Sequence, residues 1–197
     1  MGLIDVINHN NVPKVLLRYI MINFLDFVSI KKLILIVKDM NVLDDHSKDI
    51  LEKASRGFEW NCKNGHLNVA QWLYSFGGIN IHANDEHAFR YSCENGHLNI
   101  VQWLYSLGNI NIHANNEHAF KLSCLNGHLN IAQWLYSLGG INIHADDEYA
   151  LEASCIIGHL NMARWLYSLG GIDVHVYNEY VYEYSDGEIK NWLQYIN

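Results

Sequence analysis

Histidine and cysteine are the residues of this sequence whose spacing most directly suggests chemistry, because both can ligate zinc. Cys93 precedes His97 by four positions. The same spacing recurs at Cys62 and His66, at Cys124 and His128, and at Cys155 and His159. A zinc ion needs four ligands at about 2.0–2.3 Å. Each pair supplies two ligands, and the next pair is 31 residues away, so we expect no metal site.

Carboxylates are the second group that could do chemistry, above all Asp146, Asp147 and Glu148. A general acid and base must face each other in a cleft. These three instead stand where a helix would begin, and the start of a helix favours acidic and capping side chains. The sequence also lacks a nucleophile motif and a phosphate-binding loop. We therefore expect no enzymatic activity and no cofactor.

An internal repeat of 31 residues sets the positions of all these groups. Trp72, Trp103, Trp134 and Trp165 follow one another at this interval, as do the four cysteines and the Gly-His pairs. Periods of 20–50 residues are typical of solenoids, in which each repeat buries its apolar face against its neighbours. We place repeats 1 to 4 at 53–83, 84–114, 115–145 and 146–176, and a C-terminal capping repeat at 177–197.

Each repeat reads as a short first helix, a turn at the glycine of Gly-His, a second helix and a loop. Asn84-Asp85-Glu86 is expected to cap the first helix. The second helix is apolar except for one polar stripe of Asn99, Gln102 and Ser106, so it must be packed on both flanks. Equivalent cysteines would lie roughly 8–10 Å apart, too far for a disulfide, and we expect buried, reduced thiols.

Helix-turn-helix repeats with Gly-His between the helices resemble ankyrin repeats. The segment 87–93, His-Ala-Phe-Arg-Tyr-Ser-Cys, aligns with the family's Thr-Pro-Leu-His-x-Ala-Ala, and the resemblance covers 53–197. Thr-Pro is replaced by His-Ala or Tyr-Ala, and the loop is shorter than a 33-residue period allows. The sequence motifs Asn-Gly-His-Leu and Trp-Leu-Tyr-Ser-Leu-Gly resemble those in the ankyrin arrays of giant DNA viruses of amoebae, such as mimivirus. The resemblance implies an all-α ankyrin-repeat solenoid, a non-catalytic scaffold that binds host proteins.

Comparison of the repeats with one another separates shared positions from variable ones. The second helices and loops are almost identical, whereas several first-helix positions change from repeat to repeat. In ankyrin-like stacks this strip is the concave face, so the variation indicates either a partner-binding surface or drift on a solvated surface. The candidate residues are Glu59, Trp60, Lys63, Arg90, Tyr91, Glu94, Lys121, Leu122, Leu125, Glu152, Ile156 and Ile157.

Residues 1–52 are not repetitive, and two interpretations of them stay open. They could be a helical cap for the array, or a segment that resembles an F-box, the motif that docks substrate receptors onto the adaptor of a cullin ubiquitin ligase. The F-box resemblance would make the chain a substrate adaptor. It is carried by Pro13, Leu16, Leu17, Ile20, Leu25, Ile30 and Leu33. A third alternative is a virion or self-assembling structural component.

Charge and hydropathy limit the classes of partner. The net charge of −8 lies entirely on residues 51–197, which argues against binding of nucleic acid phosphates. The apolar stretch 15–37 is interrupted by charged residues, so we expect no membrane span. Nor does the N-terminus resemble a secretory signal. We expect a monomer that is not secreted and works inside the cell, in the host cytoplasm or nucleus if it is viral.

Overall fold

The computed structural model describes residues 45–75, 77–171 and 178–196, and their regular structure is entirely helical. Residues 1–44, with every residue of the F-box-like pattern, lie outside this description. Among the described helices, none is long and apolar enough to cross a membrane. The helices are α1 (Asp45–Lys63), α2 (Leu67–Ser75), α3 (Ala83–Glu94), α4 (Leu98–Ser106), α5 (Ala114–Leu125), α6 (Leu129–Ser137), α7 (Ala145–Ile157), α8 (Leu160–Ser168), α9 (Asn178–Tyr184) and α10 (Gly187–Ile196).

First and second helices alternate along the chain and pack in pairs. Helix α1 packs on α2, α5 on α6, α7 on α8 and α9 on α10. The described helices fall into two compact units, with the division after Ala88. Within the second compact unit, α5 packs on α7 and α7 on α9, while α4 packs on α6. The prediction of an all-α chain of helix-turn-helix repeats is confirmed for the described residues.

The turn between the two helices of a repeat is closed by its own backbone. In repeat 3, the Gly127 amide donates to the Cys124 carbonyl at 3.1 Å and the His128 amide donates to the Ser123 carbonyl at 2.9 Å. These two bonds define a Schellman motif, which needs a residue with positive φ. Gly127 supplies it with a φ of 72°. The glycine of each Gly-His pair is therefore a requirement of the turn.

The second helices of the repeats bury one face and leave the other exposed, so they are less enclosed than the apolar pattern predicts. In α6, Ile131, Ala132 and Leu135 are fully buried, while Asn130 and Gln133 are exposed. Trp72 is buried, whereas Trp103, Trp134 and Trp165 are half-buried. Aromatic contacts join successive second helices, with Trp134 edge-on to Tyr105 at 5.4 Å and Trp165 edge-on to Tyr136 at 5.9 Å. Such edge-to-face pairs add about 0.5–1.5 kcal/mol beyond area burial.

Small side chains fill the contact between neighbouring first helices. The Ser123 hydroxyl, fully buried, donates to the Ala119 carbonyl one turn earlier at 2.8 Å. All four cysteines are free and buried, so the prediction of reduced, space-filling thiols is confirmed. Burial raises the pKa of the Cys155 thiol to about 12 and also raises the pKa of Cys124. Protonated buried thiols are poor nucleophiles.

The start of the first helix in repeats 2 to 4 differs from the sequence-based expectation. In α7, Asp146, Asp147 and Glu148 have φ values of 54°, 54° and 66°. The corresponding residues of α3 and α5 are left-handed as well. Each such residue costs roughly 1–2 kcal/mol, and Asn and Asp tolerate it best. These residues therefore form a left-handed turn that closes the short loop, and the right-handed first helix begins after them.

Two glycines with positive φ allow the cost of the turn to be separated from the cost of the packing. A Cβ on Gly127 would lie 2.7 Å from the His159 ring, whereas one on Gly139 would meet nothing within 4 Å. We expect Gly139→Ala to lose roughly 1–2 kcal/mol of unfolding free energy through its backbone. Gly127→Ala should lose a further ~1–3 kcal/mol, because the ring must move away from its hydrogen-bond partner. Urea unfolding measures both, and equal losses would contradict this packing.

Candidate protein-binding surface

The first helices, which carry the variable residues, are held in register by the histidines of Gly-His. His128 Nε2 donates to the Glu94 carbonyl at 2.9 Å, and His159 Nε2 donates to the Leu125 carbonyl at 3.1 Å. The carbonyls they bind belong to the last turn of the first helix in the preceding repeat, so each of these two imidazoles joins two repeats.

The C-terminal capping repeat replaces this imidazole with Asp186. Its carboxylate lies 2.9 Å from the position that a Cβ on Gly158 would occupy. Asp186 Oδ1 also accepts a hydrogen bond from the Ile189 amide at 2.8 Å. The aspartate thus fills the place of the ring and caps α10, which shortens the turn of the last repeat.

A second histidine, at the end of repeats 1 to 3, binds the glutamate that ends the left-handed turn of the following repeat. His113 Nδ1 donates to the Glu117 carboxylate at 3.0 Å. Glu117 is only 6% exposed, and it also accepts from the Asn142 backbone amide at the end of its own repeat at 3.3 Å. The equivalent pair His82 and Glu86, also at 3.0 Å, joins the end of repeat 1 to the start of repeat 2. Our reading of the sequence missed this pair, although its fixed His-x-x-x-Glu spacing was the available signal.

In α1, the variable residues occupy three different environments. Glu59 is half-buried and accepts from His87 Nδ1 at 3.0 Å and from the Asn84 amide at 3.4 Å. The Trp60 ring lies 5.4 Å from the ring of His66. Lys63 is exposed. Glu59 is thus engaged by the residues that follow it in the next repeat, while Lys63 faces solvent.

Lys121, the counterpart of Glu59 in repeat 3, is also engaged by the next repeat. Its side chain is 11% exposed, its ammonium donates to Asp146, and it lies 5.9 Å from the centre of the Tyr149 ring. The hydrogen bond from Lys121 holds the pKa of Asp146 below its usual value. Glu59 in repeat 1 and Lys121 in repeat 3 each contact a complementary group of the next repeat. The residue type at this position therefore depends on the side chains that the next repeat presents.

The remaining candidates lie on α3, α5 and α7. Leu122 and Leu125 on α5 are half-buried, as is Ile156 on α7, and Ile157 is 51% exposed. Because α5 packs beside α7, these four side chains lie on neighbouring helices. Arg90, Tyr91, Glu94 and Glu152 are half-buried as well. We define Leu122, Leu125, Ile156 and Ile157 as the apolar strip.

A comparison with protein-family models shows which family the repeats match. Residues 58–147 match a family model described as ankyrin repeats, in three copies. A search of curated proteins gave no match. Together with the repeated helix-turn-helix arrangement, the match confirms the predicted fold class, an ankyrin-repeat solenoid. Ankyrin repeats are generally modules for protein–protein interaction, and the proteins that carry them are typically non-catalytic. Within the described residues, no group of three or more His, Cys, Asp or Glu could hold a metal ion.

The ion pair between repeats 3 and 4 gives a pH-dependent prediction. The pKa of Asp146 is lowered from 3.8, so its contribution to stability is present above pH ~4 and is lost as the pH falls through the lower folded value. Asp146→Asn should therefore be less stable than the natural chain at pH 7 and equally stable near pH 2. Asparagine tolerates the left-handed backbone, as Asn115 does at the equivalent position.

A Lys121→Met background is the control for this experiment. Without the ammonium, Asp146→Asn should change the unfolding free energy much less at pH 7, because only the weaker contributions of Asn116 and His118 still favour the Asp146 carboxylate. Thermal or urea unfolding at several pH values measures the effect. A stability difference of undiminished size in the Lys121→Met background would show that the pair is not its source.

Proposed function

We propose that the ankyrin repeats of this chain bind a protein partner through the variable strip of their first helices, without catalysis. The observation that carries the proposal is the division of roles within each repeat. Residues shared by all repeats make contacts that join repeats, as His128 and His113 do. Residues that differ are concentrated on the first helices. Because the repeat sequences resemble those of giant-virus ankyrin arrays, we expect the partner to be a host protein.

The apolar strip is the part of this surface best suited to hold a partner. Leu122, Leu125 and Ile156 keep part of their side chains accessible, and Ile157 is 51% exposed although it is a large aliphatic residue. Contiguous exposed apolar residues on a soluble protein mark interaction sites. Energetically important contacts in interfaces cluster in such desolvated centres, surrounded by polar residues. Glu152 on α7 and Glu94 on α3 would form part of that polar rim.

Charge substitution in the apolar strip tests the proposal. A chain with Leu125→Asp and Ile156→Asp should keep its melting temperature within a few degrees, because both positions are only half-buried, and should lose the proteins captured by the natural chain from a cell lysate. The matched control is Asn130→Asp with Gln133→Asp, which places the same charges on the exposed side of α6. Capture of the same proteins by the folded strip variant would overturn the proposal.

A second candidate function, substrate adaptor of a cullin ubiquitin ligase, is favoured by the apolar spacing of residues 13–33 alone. It predicts that the full chain captures cullin-ligase components and that Leu16→Asp with Leu17→Asp abolishes this capture. The proteins bound through the apolar strip should be unaffected by the same change. If neither chain captures ligase components, residues 1–52 do not serve as an adaptor-docking segment.

A further inference from the structure

The exposed side of the second helices is identical in repeats 1 to 3 and changes toward the C-terminal end. Repeats 1 to 3 carry the same stripe of Asn, Gln and Ser there. Repeat 4 has Arg164 in place of the glutamine. The capping repeat, aligned on Trp192, has Glu188 in place of the asparagine and Tyr195 in place of the serine. A cation, an anion and an aromatic ring thus replace three neutral polar residues.

The three changed residues line one groove between α8 and α10. Its volume is about 400 Å³. One water molecule takes about 30 Å³ of the liquid, so the side chains of two or three residues of another protein fit in it. The residues that line it are Leu160, Arg164, Glu188, Asn191, Trp192 and Tyr195.

The walls of the groove are fixed by contacts within the chain. Tyr167 on α8 meets the Trp192 ring edge-on at 5.7 Å, which repeats the contact between earlier second helices. Trp192 is buried. The start of α10 is held by the hydrogen bond from the Ile189 amide to Asp186 at 2.8 Å. A groove that exists before binding lowers the ordering cost of complex formation.

The two charged residues of the groove are both available to a ligand. Arg164 and Glu188 are exposed. In the part of the chain that the structure describes, neither side chain makes an ion pair or a hydrogen bond, with the other or with any third residue. They differ in this from Glu59 and Lys121, which the next repeat engages. Each can therefore take an ionic partner from outside the chain, and ionic hydrogen bonds are the stronger ones.

Tyr195 departs from what the end of a solenoid needs. A terminal repeat requires a polar outer face for solubility, yet Tyr195 is 89% exposed, more than any other large hydrophobic residue that the structure describes. The serine of the preceding repeats would meet the requirement better. Tyrosine is enriched in protein interfaces, where its ring provides contact area and its hydroxyl a hydrogen bond.

We infer that the groove between α8 and α10 binds a segment of a partner protein that carries an acidic and a basic side chain beside an aromatic or large aliphatic one. The acidic side chain would accept hydrogen bonds from Arg164, whose planar fork suits a carboxylate, and from the Asn191 amide. The basic side chain would pair with Glu188. The apolar side chain would lie against Trp192 and Tyr195.

This surface goes beyond the proposed function, because it lies on second helices and shares no residue with the apolar strip. The chain can then hold two proteins at once, one at each surface. A second copy of the chain is less suited to the groove, since each copy has a net charge of −8 and like net charges oppose association.

Selection from a display library of short random peptides by the full-length chain tests the inference. Counter-selection uses the restored chain, with Arg164→Gln, Glu188→Asn and Tyr195→Ser, which carries the residues of repeats 1 to 3 at these positions. The restored chain keeps the net charge of the natural one, because it loses one cation and one carboxylate. Peptides that bind only the natural chain should contain an acidic and a basic residue beside an aromatic or large aliphatic residue.

Charge exchange then locates the acidic residue of a selected peptide. Its replacement by the amide should weaken binding to the natural chain about tenfold, as expected for loss of one charge-assisted contact. The same replacement should change binding to the Arg164→Gln chain less than about threefold. Replacement of the acid by lysine should abolish binding to the natural chain, and Arg164→Glu should recover it, because both charges are then reversed.

The matched control is Gln133→Arg in the restored chain. It places a guanidinium at the equivalent position of α6, away from Glu188 and Tyr195, and should not recover binding of the selected peptides. All variants should keep their melting temperature within a few degrees, because the changed side chains are exposed. Circular dichroism and a melting curve check this.

Three results would overturn the inference. The restored chain could select the same peptides as the natural chain, or the tenfold discrimination between acid and amide could survive Arg164→Gln. Alternatively, sedimentation at increasing concentration could show self-association that the restored chain lacks, which would assign the groove to a second copy. The restored chain retains the apolar strip, so each of these results leaves the proposed function untouched.

Discussion

The hydrogen bond from a Gly-His imidazole, His128 or His159, to the end of the preceding first helix is the contact on which the arrangement of repeats 2 to 4 depends. It satisfies a carbonyl that the helix end leaves without an intrahelical partner, as at Leu125 and Glu94. The ring can reach that carbonyl only because it lies against a glycine, Gly127 or Gly96, where a Cβ would be at 2.7 Å. The Gly-His dipeptide thus forms both the turn within a repeat and the contact between repeats, since its glycine also provides the positive φ of the Schellman motif.

This joint also determines which residues are available for function. The shared residues fix the distance between neighbouring first helices. The variable side chains between Arg90 and Ile157 are then either paired within the stack or left partly exposed. Lys121 is matched to Asp146 in the next repeat and is almost fully buried, so its identity is constrained by the stack. Leu125 and Ile156 have no such charged counterpart to satisfy, and their exposed parts are open to a partner. Variation between repeats therefore has two physical causes.

The period predicts most of the fold, because turn, polar stripe and buried thiols each depend on a few residues at fixed local spacing. The left-handed turn at Asp146 could not be predicted in this way. Asp-Asp-Glu suits the first turn of a right-handed helix equally well, and the choice is made by tertiary contacts such as that of Glu117 with Asn142. The pairing of Lys121 with Asp146 was likewise hidden, since 25 residues separate them and only the packed helices bring them together.

For the candidate surface, the sequence identified the variable positions but not how they are used. Glu59 and Lys121 stand at the same position of their repeats, and both are satisfied within the stack. Exposure and charge at each site required the structure, because they depend on which side chain the following repeat offers. We propose that roles are separated, so that shared residues stabilise the array and partly exposed variable residues choose the partner.

Exchange of variable residues between repeats tests this separation most directly. Leu122→Tyr with Leu125→Glu gives repeat 3 the residues that repeat 2 has at Tyr91 and Glu94. Affinity capture followed by mass spectrometry, with a melting curve on the same sample, then compares partner choice and stability in one chain. The account predicts an unchanged melting temperature and a changed set of captured proteins. An unchanged set, or an unfolded chain, would contradict it.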